Sequence, residues 1–135
     1  MFDFGLRRKW LVLVLVGFSV AHLWRAVLAI QQAQFLGGLT ASPSPWYIAV
    51  TSLLWALVFG ICIVMVVRHV RFAPVAAILA GVLNQAHIWL DRLLFSRSTA
   101  SMQTLGFAAL LSAVFLIALC LPAALLKVKS MKDKG

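Results

Sequence analysis

Four long apolar runs divide this chain of 135 residues, and each is long enough to cross a lipid bilayer. A hydrocarbon core of about 30 Å requires about 20 residues of α-helix at a rise of 1.5 Å per residue. The runs cover residues 10–30, 46–67, 73–95 and 104–126. The short alternating segments that a transmembrane β-barrel would need are absent from the sequence. We therefore predict an all-α integral membrane protein, a four-transmembrane-helix bundle that forms one membrane domain over residues 1–135.

The composition supports this assignment and limits the functions that the chain can perform. Hydrophobic residues make up 64% of the sequence, and the mean hydropathy is +1.04. A soluble domain is usually about half apolar, so this chain could not cover a water-facing surface with polar groups. A chain of this size also leaves no room for a soluble catalytic module beside the membrane part. We expect a protein that is not an enzyme.

Positive charge is concentrated at the ends of the apolar runs. The chain has twelve Lys and Arg residues against three Asp and Glu. Nine of the basic residues flank the runs on one predicted side: Arg7, Arg8, Lys9, Arg68, Arg71, Lys127, Lys129, Lys132 and Lys134. The loop over residues 31–45 has no basic residue, and Arg97 is the clear loop charge on the opposite side. The positive-inside rule thus predicts that both termini are cytoplasmic. The compact loops and this charge bias suggest a bacterial-type plasma membrane. Nucleic acid is not an expected partner, because its binding requires basic residues spread over a folded surface.

A short repeated string suggests an internal duplication. Residues 21–24 read Ala-His-Leu-Trp, and residues 86–89 read Ala-His-Ile-Trp. Both strings lie slightly beyond the middle of helices that run in the same direction. We interpret them as a tandem duplication of a two-helix hairpin, with halves at about 1–67 and 68–135. Pseudo-twofold packing of the halves would place His22 and His87 at the same height.

Polar residues on the first and third helices form a predicted intramembrane cluster. Positions three and four apart share one face of a helix, so each helix presents a polar stripe. The cluster comprises Ser19, His22, Arg25, Asn84, His87, Asp91 and Arg92. Ionisable groups at such depth are costly unless paired or hydrated, and they indicate a functional or structural role. The simplest role is an ion pair of Asp91 with Arg25 or Arg92 that holds the helices together.

Two sharper hypotheses use the same residues. His22 and His87 could be the axial ligands of a b-type haem or bind another tetrapyrrole, which would make the chain an electron carrier. Alternatively, His22, Asn84, His87 and Asp91 could begin a path for protons or a small solute, although the third run is apolar inward of Asn84. Neither a metal site nor a catalytic residue is predicted, because no HExxH-like spacing occurs and Cys62 and Cys120 form no CxxC pattern.

Small residues spaced four apart favour a role in assembly. The pairs are Ala56 with Gly60, Ala76 with Ala80, Ala77 with Gly81, and Ala109 with Ala113. Such pairs let transmembrane helices approach closely, and some could serve a partner protein. The leading hypothesis is an accessory or scaffold subunit of a larger membrane complex. Its expected partners are other membrane protein subunits and lipid, with a homo-oligomer as a further option and no resident cofactor.

Overall fold

All regular secondary structure in the described part of the chain is helical. The computed structural model describes residues 4–35, 44–95 and 105–132. Helix α1 spans Phe4–Phe35, α2 spans Pro45–Val67, α3 spans Ala73–Phe95 and α4 spans Leu105–Lys132. Each contains a stretch long and apolar enough to cross a membrane. The prediction of an all-helical protein with four candidate spans is confirmed over these residues.

Two helices extend beyond the apolar runs that predicted them. Helix α1 begins at Phe4, so the basic cluster at residues 7–9 belongs to the helix. Helix α4 contains Pro122 and still continues to Lys132. Lys and Arg are good helix formers, so a helix can continue beyond the hydrocarbon region. An apolar run therefore predicts the segment within the membrane and not the ends of the helix. The loop charge Arg97 and the tail residue Lys134 lie outside the described residues.

The helices pack in a ring that follows their order in the chain. Helix α1 packs on α2, α2 on α3, α3 on α4, and α4 closes the ring on α1. Helices α1 and α3 are therefore diagonally opposite, which leaves space between them. The contact of α1 with α2 is more extensive than that of α3 with α4, so the two hairpins are packed unequally.

The tightest packing lies toward the end of the bundle where α1 begins and α2 ends. The buried apolar core there is formed by Leu11, Leu15, Phe59, Cys62, Val66, Ala73, Ala77, Ala80, Leu119 and Ala123. Small residues dominate on α3, which lets α4 approach its backbone closely. Leu119 of α4 lies directly over Gly81, where an added Cβ would overlap its side chain. One predicted small-residue pair, Ala77 with Gly81, is thus used inside the bundle.

The same end is held by Arg8 and the turn after α2. The Arg8 guanidinium donates hydrogen bonds to the carbonyl oxygens of Val66, at 3.0 Å, and Val67, and contacts Nε2 of His69. These carbonyls end α2 and have no partner within the helix. His69 has a φ of 57°, its N–H donates to the carbonyl of Val66, and the N–H of Val70 donates to that of Met65, which together form a Schellman motif. The start of α1 and the α2–α3 turn therefore lie at one end of the bundle.

Most of the surface of the bundle is apolar. Only 22–33% of the residues in each membrane-crossing window are buried inside the protein. Large side chains such as Leu13, Leu57, Leu83 and Leu110 are exposed on the four helices. A soluble protein would rarely present such a continuous apolar surface. The exterior therefore fits a lipid environment.

Candidate functional site

A cavity of about 520 Å³ lies in the space between α1 and α3, with α4 forming its third wall. Its volume is in the range of sites that bind small molecules. The walls are mainly apolar and aromatic, with Val14, Phe18, Ile88, Leu111 and Phe115 among the lining residues. The ring order of the helices produces this cavity, because α1 and α3 pack mainly on α2 and α4 and make little contact with each other.

The cavity also carries polar groups from both diagonal helices. His22 and Asn84 line it at mid-depth and are 7% and 1% exposed. The two side chains are neighbours. Even so, Nδ1 of His22 and Oδ1 of Asn84 are buried without a hydrogen-bond partner among the described residues. A buried polar atom without a partner is costly, so these two atoms indicate a place where another polar molecule can bind.

Two arginines lie at the end of the same cavity that is farther from the start of α1. Arg25 of α1 is exposed, and Arg92 of α3 is half-buried; both line the cavity. Within the described part of the chain, neither has a carboxylate within 4.0 Å. The predicted pairing of Asp91 with Arg25 or Arg92 is therefore not the arrangement in the structure. This end of the cavity is therefore cationic.

Asp91 instead takes part in a network between α2 and α3. The Tyr47 hydroxyl donates a hydrogen bond of 2.9 Å to Oδ1 of Asp91. Oδ2 of the same carboxylate lies 3.5 Å from Nε2 of His87. The Asp91 carboxylate therefore faces Tyr47 of α2 and His87 of α3, and Asp91 does not line the cavity.

Aromatic rings of α2 lie between the two predicted haem ligands. His22 stacks on Phe59, with ring centroids 5.8 Å apart, and Trp55 has its ring 6.1 Å from Phe59 and 6.0 Å from His87. His22 lines the cavity, whereas His87 does not. A bis-histidine haem needs both imidazoles to face one slot. This arrangement does not supply such a slot, and the haem hypothesis gains no support from it.

The predicted cluster is thus divided among three places. Ser19 donates a hydrogen bond of 3.2 Å to the carbonyl oxygen of Ala56 and belongs to the α1–α2 interface. The cavity receives His22, Arg25, Asn84 and Arg92. The third group is His87 and Asp91 with Tyr47. The predicted cluster did not include Tyr47, and sequence reasoning missed its contact with Asp91, although one residue lies at the start of its apolar run and the other is near the end of the next run along the chain.

The described residues contain no cluster of metal-ligating side chains. No group of three or more His, Cys, Asp or Glu that could hold a metal ion occurs there. Cys62 is a buried free thiol and Cys120 a half-buried one. In the comparisons with known proteins, no protein family, curated protein or solved structure matches this chain.

Proposed function

We propose that this chain is a non-enzymatic integral membrane protein that serves as an accessory or scaffold subunit of a larger membrane complex. The observation that carries the proposal is the outward face of α4. Ala109 and Ala113 are both exposed there, one helical turn apart, and Gly106 is exposed one turn earlier. By contrast, the comparable pair Ala77 and Gly81 on α3 is buried against α4.

The exposed small residues provide a surface on which another transmembrane helix can pack. Hydrophobic burial does not drive helix association within lipid, so close backbone approach and van der Waals contact must supply the energy. Leu110 and Val114 flank the small residues and are 63% and 53% exposed. Large side chains beside a strip of small ones form the ridge and groove that helix packing requires. The partner in this proposal is a helix of another membrane protein or of a second copy.

The orientation and the duplication are parts of the same proposal. Arg8 holds the start of α1 next to the α2–α3 turn, so the predicted basic segments at residues 7–9 and 68–71 gather at one end. The positive-inside rule assigns that end, and with it both termini, to the cytoplasm of a bacterial-type membrane. Parallel repeats related by a pseudo-twofold axis would require α1 and α3 to be diagonal, and the ring order is compatible with this.

The packed core favours a subunit over a transporter. Leu11, Leu15, Ala77 and Leu119 are each 0% exposed and fill the bundle between the cavity and the basic end. A transport path along His22 and Asn84 would have to continue through these side chains. In this conformation the polar groups end in an apolar core, which supports a structural role.

The test is purification of the tagged chain from its native membranes in a mild detergent. We expect one or more membrane proteins to co-purify in fixed ratio, or the chain to run as an oligomer. Ala109→Leu with Ala113→Leu should disrupt the assembly by filling the groove. Ala86→Leu is the matched control, because Ala86 is also exposed but lies on α3. A chain that runs as a lone monomer with no partner would contradict the proposal.

A further inference from the structure

We propose that the cavity between α1, α3 and α4 binds one anionic glycerophospholipid. In this arrangement the phosphate lies between Arg25 and Arg92, the ester groups lie beside His22 and Asn84, and an acyl chain runs along the apolar wall. The site is separate from the outward face of α4 and does not depend on the chain being a subunit of a complex.

Charge selects the head group. Arg25 and Arg92 line the same cavity on diagonal helices, and the nearby carboxylate of Asp91 is engaged by Tyr47 and His87. Neither guanidinium group has a carboxylate within 4.0 Å in the described structure. A phosphate would give both a partner, because guanidinium groups bind phosphate oxygens through paired hydrogen bonds.

The polar atoms at mid-depth select a molecule with a second polar group. His22 precedes Arg25 by three residues, which places the imidazole about 4.5 Å deeper along α1. The ester groups of a glycerophospholipid follow the phosphate toward the acyl chains and would reach this level. A neutral imidazole can donate from Nδ1 to an ester carbonyl, which gives this buried atom of His22 the hydrogen-bond partner that it lacks. A fatty acid has no second polar group for this level.

The apolar wall accommodates a chain. From Arg25 the cavity extends along α1 to Val14, a distance of about 16 Å at the rise of an α-helix. Phe18, Leu111 and Phe115 line this length, and the cavity is partly open to the outside. A lipid can therefore enter sideways from the bilayer with its second chain remaining outside.

The proposal is tested by lipid retention on the purified, delipidated chain, measured by native mass spectrometry. The probes are dioleoyl phosphatidylglycerol, dioleoyl phosphatidylcholine and oleate. We expect one phosphatidylglycerol per chain, retained at least tenfold better than phosphatidylcholine, whose choline cation would meet the two arginines. Arg25→Gln with Arg92→Gln should reduce this retention about tenfold.

Matched variants distinguish the cavity from general attraction of anionic lipid to a basic protein. Arg68→Gln with Arg71→Gln removes the same charge at exposed positions of the opposite end and should leave retention unchanged. Ala108→Phe, which fills the cavity without changing charge, should reduce retention, with folding checked by circular dichroism. Equal retention of the two phospholipids, an equal loss in the control pair, or oleate binding as tightly as phosphatidylglycerol would overturn the proposal.

Discussion

The Tyr47 hydroxyl donates a hydrogen bond of 2.9 Å to Asp91, and this contact joins the first turn of α2 to the C-terminal end of α3. Asp91 is the one acidic residue in the described part of the chain. Its second oxygen lies 3.5 Å from the imidazole of His87. One oxygen of this carboxylate thus accepts a hydrogen bond and the other faces an imidazole, while in the described structure no carboxylate lies within 4.0 Å of the two arginines of the cavity.

Loss of the Tyr47 hydroxyl should weaken the contact between α2 and α3. Hydrogen bonds between transmembrane helices contribute about 0.6 kcal/mol on average, so we expect Tyr47→Phe to lower the free energy of unfolding by this amount. Asp91→Asn should cost more, because the carboxylate also contacts His87. The measurement is unfolding in mixed detergent with increasing dodecyl sulfate. Thr51→Val is the control, since its hydroxyl donates hydrogen bonds to carbonyls of its own helix. A double-mutant cycle of Tyr47→Phe and Asp91→Asn that showed no coupling energy would contradict the contact.

A methyl group at Gly81 should separate α3 from α4. The added carbon would overlap the Leu119 side chain, which is fully buried and must reorient within a packed core. Overpacking of this kind costs about 1–3 kcal/mol, and we expect Gly81→Ala to lower the unfolding free energy within that range. Gly60→Ala is the matched control, because an added Cβ there meets nothing within 4 Å. Combining Gly81→Ala with Leu119→Ala should lower the unfolding free energy by less than the sum of the two single losses, because the shortened side chain no longer overlaps the added carbon, and strict additivity would argue against the overlap.

Arg8 should matter more for stability than the adjacent Lys9, although both carry one positive charge. Arg8 binds the last carbonyls of α2 and contacts His69, whereas Lys9 is exposed. A cation bonded to the C-terminal carbonyls of a helix contributes about 1 kcal/mol. We expect Arg8→Gln to lower the unfolding free energy by that amount and Lys9→Gln to have little effect. Equal losses would show that charge at this end matters and the individual contacts do not.

The orientation of the chain can be tested by labelling single cysteines. In a background of Cys62→Ala and Cys120→Ala, an impermeant thiol reagent added outside intact cells should label Gln31→Cys and leave Arg71→Cys unlabelled until the membrane is opened. Gln31 and Arg71 are exposed and lie near opposite ends of the bundle. The reverse pattern of labelling would place the termini outside and contradict the positive-inside prediction.

The amino-acid sequence by itself determined the number of spans and their helical state. Both follow from local properties, because an apolar run of about 20 residues must satisfy its backbone groups internally when it lies in lipid. The sequence also predicted a polar cluster within the membrane that includes His22, Arg25, Asn84 and Arg92. Polar side chains at that depth are costly, so such a cluster indicates a functional or structural role.

Only the tertiary structure decided how these polar residues are divided. Periodicity places a side chain on a face of its own helix, but the rotation of each helix depends on packing, such as that of Leu119 on Gly81. That packing turns Asp91 toward Tyr47 and leaves Arg25 and Arg92 lining a cavity. The separation of the acidic residue from the two arginines is a property of the assembled bundle, because it depends on contacts among four helices that are distant in sequence.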